Sequence, residues 1–240
     1  MKPKITCTLN GDWNLKEKNG DIKSVVDVPG SVFEALIINK LIDDPFYGNN
    51  EQVAKEIYDY DWVFERKFDL DDNLITYKNL VLKFKGIDTF AEVLLNGTLL
   101  GTTDNMFRMY KFDIRSVVRK KDNILKVIIK SPVQKTKDFV DEYGVKLKTT
   151  HGMAGVPYIR KAQYSFGWDW GPVLPDIGIW KDVIIEAFDD LKIDSYYIDM
   201  DFSYNKDQKT PSDPQEYHGL NIDRVALTIS TQLSEKIESD

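Results

Sequence analysis

Cysteine is almost missing from this chain of 240 residues: Cys7 is its single example. An internal disulfide is therefore excluded, and the composition fits a reducing compartment. Cys7 itself reads as a small buried hydrophobe. Histidine is nearly as scarce. His151 and His218 stand far apart without companion ligands, so neither a zinc site nor His-based nucleophilic catalysis is expected. No motif announces a cofactor. Positive charge is short as well, with 32 Lys and Arg against 39 Asp and Glu, a formal net charge of -7 and no basic stripe. That excludes a nucleic-acid partner, whose phosphates require clustered Lys and Arg. No apolar run approaches the ~18 residues of a membrane span, so no membrane partner is expected. The opening "MKPKITCTLNGDWNL" has two lysines and no apolar stretch behind them, so no secretory leader is expected. A cytoplasmic location is the expectation that these features share.

What the chain does have is alternation. "WVFERKF" puts Trp62, Phe64 and Phe68 on one face, and "NLVLKFKG" sets Leu80, Leu82 and Phe84 opposite Val81, Lys83 and Lys85. "ILKVIIK" aligns Leu125, Val127 and Ile129, and "VIIEAF" aligns Val183, Ile185 and Ala187. Such period-two patterns predict half-buried antiparallel strands. Asn96-Gly97 between two apolar runs is a strong hairpin signal. One helix is announced by Ser31 as cap, with Glu34 three residues on and "VFEALIINKL" supplying the apolar face. A shorter one is expected in "NEQVAKEIYDY", capped by Asn49 or Asn50, with Phe46 and Tyr47 packed beneath it. Many strands and few helices predict an all-β sandwich.

Composition changes near Asp189-Asp190. Beyond it come a strand, "KIDSYYIDMDF", a polar stretch, "NKDQKTPSDPQEYHG", and another strand, "NIDRVALTISTQL". Two strands cannot close a sandwich. Residues 191–240 are therefore expected to begin a second, truncated β-domain after a first domain of residues 1–190, and the chain to be a fragment of something longer.

Three of the five tryptophans fall in "YSFGWDWGPVLPDIGIW", Tyr164 to Trp180. If this stretch is extended, Phe166, Trp168 and Trp170 share one face while Gly167, Asp169 and Gly171 share the other. Asp169 then stands on a bare strip of backbone that a polar ligand can approach. The plainer readings are that Phe166 and one tryptophan are core, and that Asp169 caps a turn between the two glycines. Pro172, Pro175 and Gly178 favour an irregular loop. Elsewhere Trp13 and Trp62 read as core, Arg108 as paired with a carboxylate inside the sandwich, and Arg119–Lys121 as a solvated turn.

The segments "LNGDWNL", "VPGSVFEAL", "DPFYGNNE", "YDWVFERKFDL", "GIDTFAEVLLNG", "MFRMYKFDI" and "QYSFGWDWGPVLPDIGIWKDV" together resemble the N-terminal region of β-mannosidases in glycoside hydrolase family 2. The hairpin segment is shared with β-galactosidases and β-glucuronidases; "FGWDWGP" points to the β-mannosidase branch. The resemblance implies a jelly-roll sugar-binding domain, similar to galactose-binding domains, then an immunoglobulin-like sandwich, then a catalytic (β/α)8 barrel. Such enzymes are retaining exo-glycosidases whose two catalytic glutamates lie in the barrel, so no catalytic residue is expected in this chain and the fragment alone should be inert. The resemblance further implies that Asp169 reaches into the barrel's pocket to bind hydroxyls of the β-mannoside, with Trp168 or Trp170 walling that pocket. It also implies that the sandwich docks on the barrel within one molecule. Asn50 and Glu51 are lesser candidates for the same pocket. Two other readings stay open: a free-standing carbohydrate-binding module, and the same family acting on β-galactosides or β-glucuronides.

Overall fold

Alternating apolar side chains make strands that offer one face to a core and the other to water, and most of the chain follows that rule. The computed structural model describes residues 2–147, 153–189, 193–204 and 222–233. In chain order the strands begin β1 (Ile5–Thr8), β2 (Gly11–Glu17), β3 (Lys23–Val28), β4 (Gly30–Ser31), β5 (Trp62–Phe68), β6 (Asn79–Phe84) and β7 (Phe90–Leu95). They continue β8 (Thr98–Asp104), β9 (Tyr110–Asp113), β10 (Asn123–Ile129), β11 (Gly178–Ile179), β12 (Val183–Phe188), β13 (Ile193–Tyr204) and β14 (Ile222–Leu233). Helices α1 (Val32–Ile38), α2 (Asn50–Ala54) and α3 (Pro132–Tyr143) lie between them. The described residues fall into two compact units, Met1–Asp189 and Asp190–Asp240.

The first unit is a jelly-roll β-sandwich. A four-stranded sheet, β1-β12-β6-β9, faces a six-stranded one, β3-β2-β5-β10-β7-β8. The chain passes from sheet to sheet at β5–β6–β7 and again at β8–β9–β10, which interleaves sequence-distant strands as in a jelly roll. Between the sheets lie Trp13, Trp62, Phe64, Phe84, Leu82 and Val127, all fully buried. Buried indoles need a partner for N–H. Trp13 donates to the carbonyl of Leu9 at 2.8 Å and Trp62 to that of Ile57 at 3.3 Å.

Local signals set several details. Asn96 (φ 53°) and Gly97 (φ 86°) form the two-residue turn between β7 and β8, both in the left-handed region that a type I′ turn requires. The Ser31 hydroxyl accepts from the Glu34 N–H at 3.4 Å and caps α1. The α3 helix was not foreseen. Its signals are present: Ser131 caps it, Pro132 opens it, and Gly144 closes it at φ 67°. Polar residues dilute its apolar stripe.

Other expectations are corrected. Cys7 is half-buried, because β1 is an edge strand with one neighbour. Lys83, expected on a solvated face, is buried and pairs with buried Glu186 at 2.5 Å. Arg108 is exposed and lies over the Tyr110 ring rather than inside the sandwich. Asn49 occupies the cap position of α2 without a side-chain bond, and Phe46 and Tyr47 stand exposed instead of beneath the helix. The turn at Arg119–Lys121 is exposed as expected. His151 and His218 lie outside the described residues, as does the polar stretch at 205–219.

The second unit, taken by itself, is the antiparallel pair β13–β14. Cross-strand partners Ile198 and Ile229, Met200 and Leu227, Phe202 and Val225 share one face. All six are exposed.

Candidate functional site

The segment 162–176 cannot run as the strand its aromatic spacing suggests. Gly167 takes φ 112°, a left-handed value that interrupts an extended chain, and Pro172 lacks an N–H for a ladder. A single 3-10 turn, Gln163–Phe166, precedes Gly167. A tight turn follows, closed by the Gly171 N–H donating to the Trp168 carbonyl at 3.4 Å. The turn separates the aromatic side chains that extension would have aligned. Phe166 is fully buried and anchors the loop to the core, whereas Trp168 and Trp170 are 54% and 84% exposed. The expectation that one tryptophan belongs to the core is thus corrected. Neither does.

The three predicted site residues come together at the loop tip. The rings of Trp168 and Trp170 stand edge to face, centroids 6.4 Å apart with an interplanar angle of 88°. Asp169 lies between them in sequence and is exposed at the turn. The two rings form a small contiguous apolar patch rather than scattered exposed residues. Indole faces suit sugar C–H groups, and a carboxylate makes strong charge-assisted bonds to hydroxyls.

Of the lesser candidates, Glu51 does reach this loop. Its carboxylate accepts from the Val173 N–H at 3.2 Å, tying α2 to the segment behind the tip. Asn50 turns away and donates to the Asp44 carbonyl at 2.9 Å.

Beside the loop, Leu174 and Asp176 share a groove of about 650 Å³ with Phe33, Ile37, Ile38 and Phe46. The groove is mostly apolar, with the half-buried residue Asp176 on its wall. Its carboxylate accepts from the N–H groups of Phe33 at 3.1 Å and Ile177 at 2.8 Å. Burial pushes this carboxyl up to about 6, against the pull of the Ser31 hydroxyl, those two N–H groups and the Lys161 charge.

Sequence reasoning missed the charges beneath the loop. Lys161 is buried and donates both to the Asp88 carboxylate and to the Asp176 carbonyl. The other Asp88 oxygen accepts from the Thr89 hydroxyl. Asp88 is in turn paired through its backbone with Gly178, where the Asp88 N–H donates to the Gly178 carbonyl at 2.9 Å. The available signal was charge set among apolar residues, Asp88 alone in "GIDTF" and Lys161 beside Arg160 in "YIRKAQ". Such charges are rarely buried unless paired.

Comparison with known proteins bears on the fold and the family. The family described as Glycosyl hydrolase 2 galactose-binding domain-like matches residues 13–181. A β-mannosidase of Bos taurus is 40% identical over 191 residues, covering 77% of this chain and 22% of its own length. The crystal structure of a β-D-mannosidase from Dictyoglomus thermophilum superposes with a TM-score of 0.78 at 35% identity, covering 82% of this chain and 24% of that one. A β-D-glucuronidase structure from the same organism shares the fold at TM-score 0.57 and 14% identity. The chain thus spans roughly a quarter or less of the two β-mannosidases, 22% of one and 24% of the other.

Proposed function

The chain belongs to the family of glycosyl hydrolase 2 galactose-binding-like domains, and on that premise we propose that it is the N-terminal part of a β-mannosidase. In this reading the sandwich docks on a (β/α)8 barrel elsewhere in the protein and lends its pocket the turn Trp168–Asp169–Trp170. The strands β13 and β14 begin the immunoglobulin-like sandwich between the two. Retaining hydrolysis of a terminal β-linked mannose then proceeds on two barrel carboxylates about 5–5.5 Å apart. This chain alone is inert toward glycosides.

The observation that carries the reading is an acidic side chain held at an exposed turn between two exposed indoles. Asp169 accepts hydrogen bonds from mannose hydroxyls, and one indole lines the pocket against the sugar ring. Inside a closed pocket such a carboxylate is costly to leave unpaired, so sugars lacking the matching hydroxyl are rejected.

The test is Asp169→Ala in the full-length enzyme assayed on an aryl β-mannoside. The expected loss in kcat/KM is on the order of 10²–10⁴, the effect of removing a charged hydrogen bond from a dry site. A loss below about threefold removes Asp169 from the site. Preference for a β-galactoside or β-glucuronide over the mannoside would overturn the choice of sugar. Micromolar binding of mannan by this chain alone would favour a free-standing binding module.

A further inference from the structure

The loop that carries Asp169 has little backbone ladder of its own. Its main-chain bonds are the isolated turns Ser165 to Ala162, Gly167 to Tyr164, Gly171 to Trp168 and, at its far end, Asp176 to Leu174, at 3.1, 3.2, 3.4 and 2.7 Å. A segment so built owes its placement to the groups that hold its two ends. At the first end, the Met106 N–H donates to the Arg160 carbonyl at 3.0 Å, and Lys161 follows directly. At the second end, Asp176 is bonded to the start of α1, and Gly178 pairs with Asp88. The Lys161 ammonium lies where these lines meet. It bonds the Asp88 carboxylate beneath the loop and the main-chain carbonyl of Asp176 at the loop's far end. The Lys161 side chain is 1% exposed and that of Asp88 12%.

A buried ion pair is a poor device for stability alone, since a well-packed apolar pair of the same volume often does as well or better. What it supplies is direction: the ammonium bonds both the Asp88 carboxylate and the Asp176 carbonyl, and both bonds run across the loop base. We propose that Lys161 is a positioning residue, a clamp that closes loop 162–175 at its base through Asp88 and Asp176 and thereby sets where Asp169 stands. This rests on the reading of Asp169 as a sugar contact. Phe166 and the Glu51 bond to Val173 hold the loop's flanks; Lys161 holds its ends together.

The experiment has two arms. Native-state hydrogen exchange of this chain is followed by mass spectrometry in three forms: unchanged, Asp88→Asn, and Lys161→Met with Asp88→Asn. The double variant removes both charges together, so that no unpaired charge is left buried if a single change fails to fold. Exchange within 162–175 should accelerate about tenfold or more while peptides from β6 and β10 change by less than about threefold. Unchanged loop exchange, or equal acceleration everywhere, overturns the clamp. In the full-length enzyme, the double variant should lower kcat/KM on an aryl β-mannoside about tenfold or more, and should cost less than about twofold when added to Asp169→Ala. Full additivity of the two losses overturns the route through Asp169. If Asp169→Ala itself leaves activity intact, the sugar-contact reading fails. The exchange arm still decides whether Lys161 closes the loop.

Discussion

In the unit Met1–Asp189, strand β5 turns Trp62 and Phe64 onto a facing sheet, and both are fully buried. In the unit Asp190–Asp240, strand β13 turns Tyr196, Ile198, Met200 and Phe202 to one side, and all four are exposed. The two strands obey the same period-two rule. The difference lies in what covers them. The sheet opposite β5 is closed by β1 and β12, whose partners Cys7 and Ile185 come from opposite ends of the unit. The described residues of the second unit consist of a single pair of strands, and a two-stranded pair is marginal by itself. Alternation thus specifies a face without supplying the layer that hides it.

The largest expected effect tests that contrast directly. Phe64→Ala should cost about 3–5 kcal/mol of stability in urea denaturation, as for other large core truncations. Leu227→Ala on the exposed face of β14 should cost under about 0.5 kcal/mol in the same chain. Equal losses would mean that the second unit has a hidden core of its own. In the longer protein proposed above, the Leu227 change should become costly, which sharpens the comparison.

A second contrast opposes buried and exposed charge. Lys83→Met leaves Glu186 with the Lys4 ammonium at 3.1 Å and without its buried partner. The expected loss is about 3 kcal/mol by denaturant titration. Lys120→Ala breaks the exposed pair with Asp72 and should stay within about 0.5 kcal/mol.

The third effect is smaller and depends on pH. Burial pushes the Asp176 carboxyl up to about 6 in the folded chain, above its ordinary value, so the folded state binds more protons than the unfolded state between the two values. The stabilisation is present in full below the unfolded value and is lost as pH rises through the folded one. Stability should therefore fall by about 1 kcal/mol from pH 5 to pH 7 on account of this group. Asp176→Asn should flatten that slope while keeping an acceptor for Phe33 and Ile177. An unchanged slope would show that the groove leaves Asp176 well hydrated.

The smallest effect concerns the loop tip. Replacing Trp168 and Trp170 together by Phe should remove most of the acrylamide-quenchable tryptophan emission, because Trp13 and Trp62 are buried and Trp180 is less exposed than either loop indole. Stability should change by less than about 0.5 kcal/mol. A large loss of stability would place the indoles in the structural core after all.

Much of the sandwich was legible because its strands state their faces locally: Leu80, Leu82 and Phe84 in β6, or Leu125, Val127 and Ile129 in β10, are buried as their alternation implies. The α3 helix was harder to read, since its apolar residues are spaced among Gln134, Lys135, Lys137 and Asp138. The site was legible in part. The grouping of Trp168, Asp169 and Trp170 is adjacent in sequence, but their presentation turned on Gly167 and its positive φ, which converts an aromatic stripe into a tight turn.

Alone, the order of side chains determined which residues alternate, where Asn96-Gly97 reverses the chain, and which three residues crowd one short segment. Strand pairing, the burial of Lys83 and the meeting of Lys161, Asp88 and Asp176 were decided by tertiary structure. The physical reason is range. Backbone preference and side-chain periodicity act over a few neighbouring residues, whereas Asp88 and Lys161 are 73 positions apart and become partners only when two sheets and a loop have closed around them.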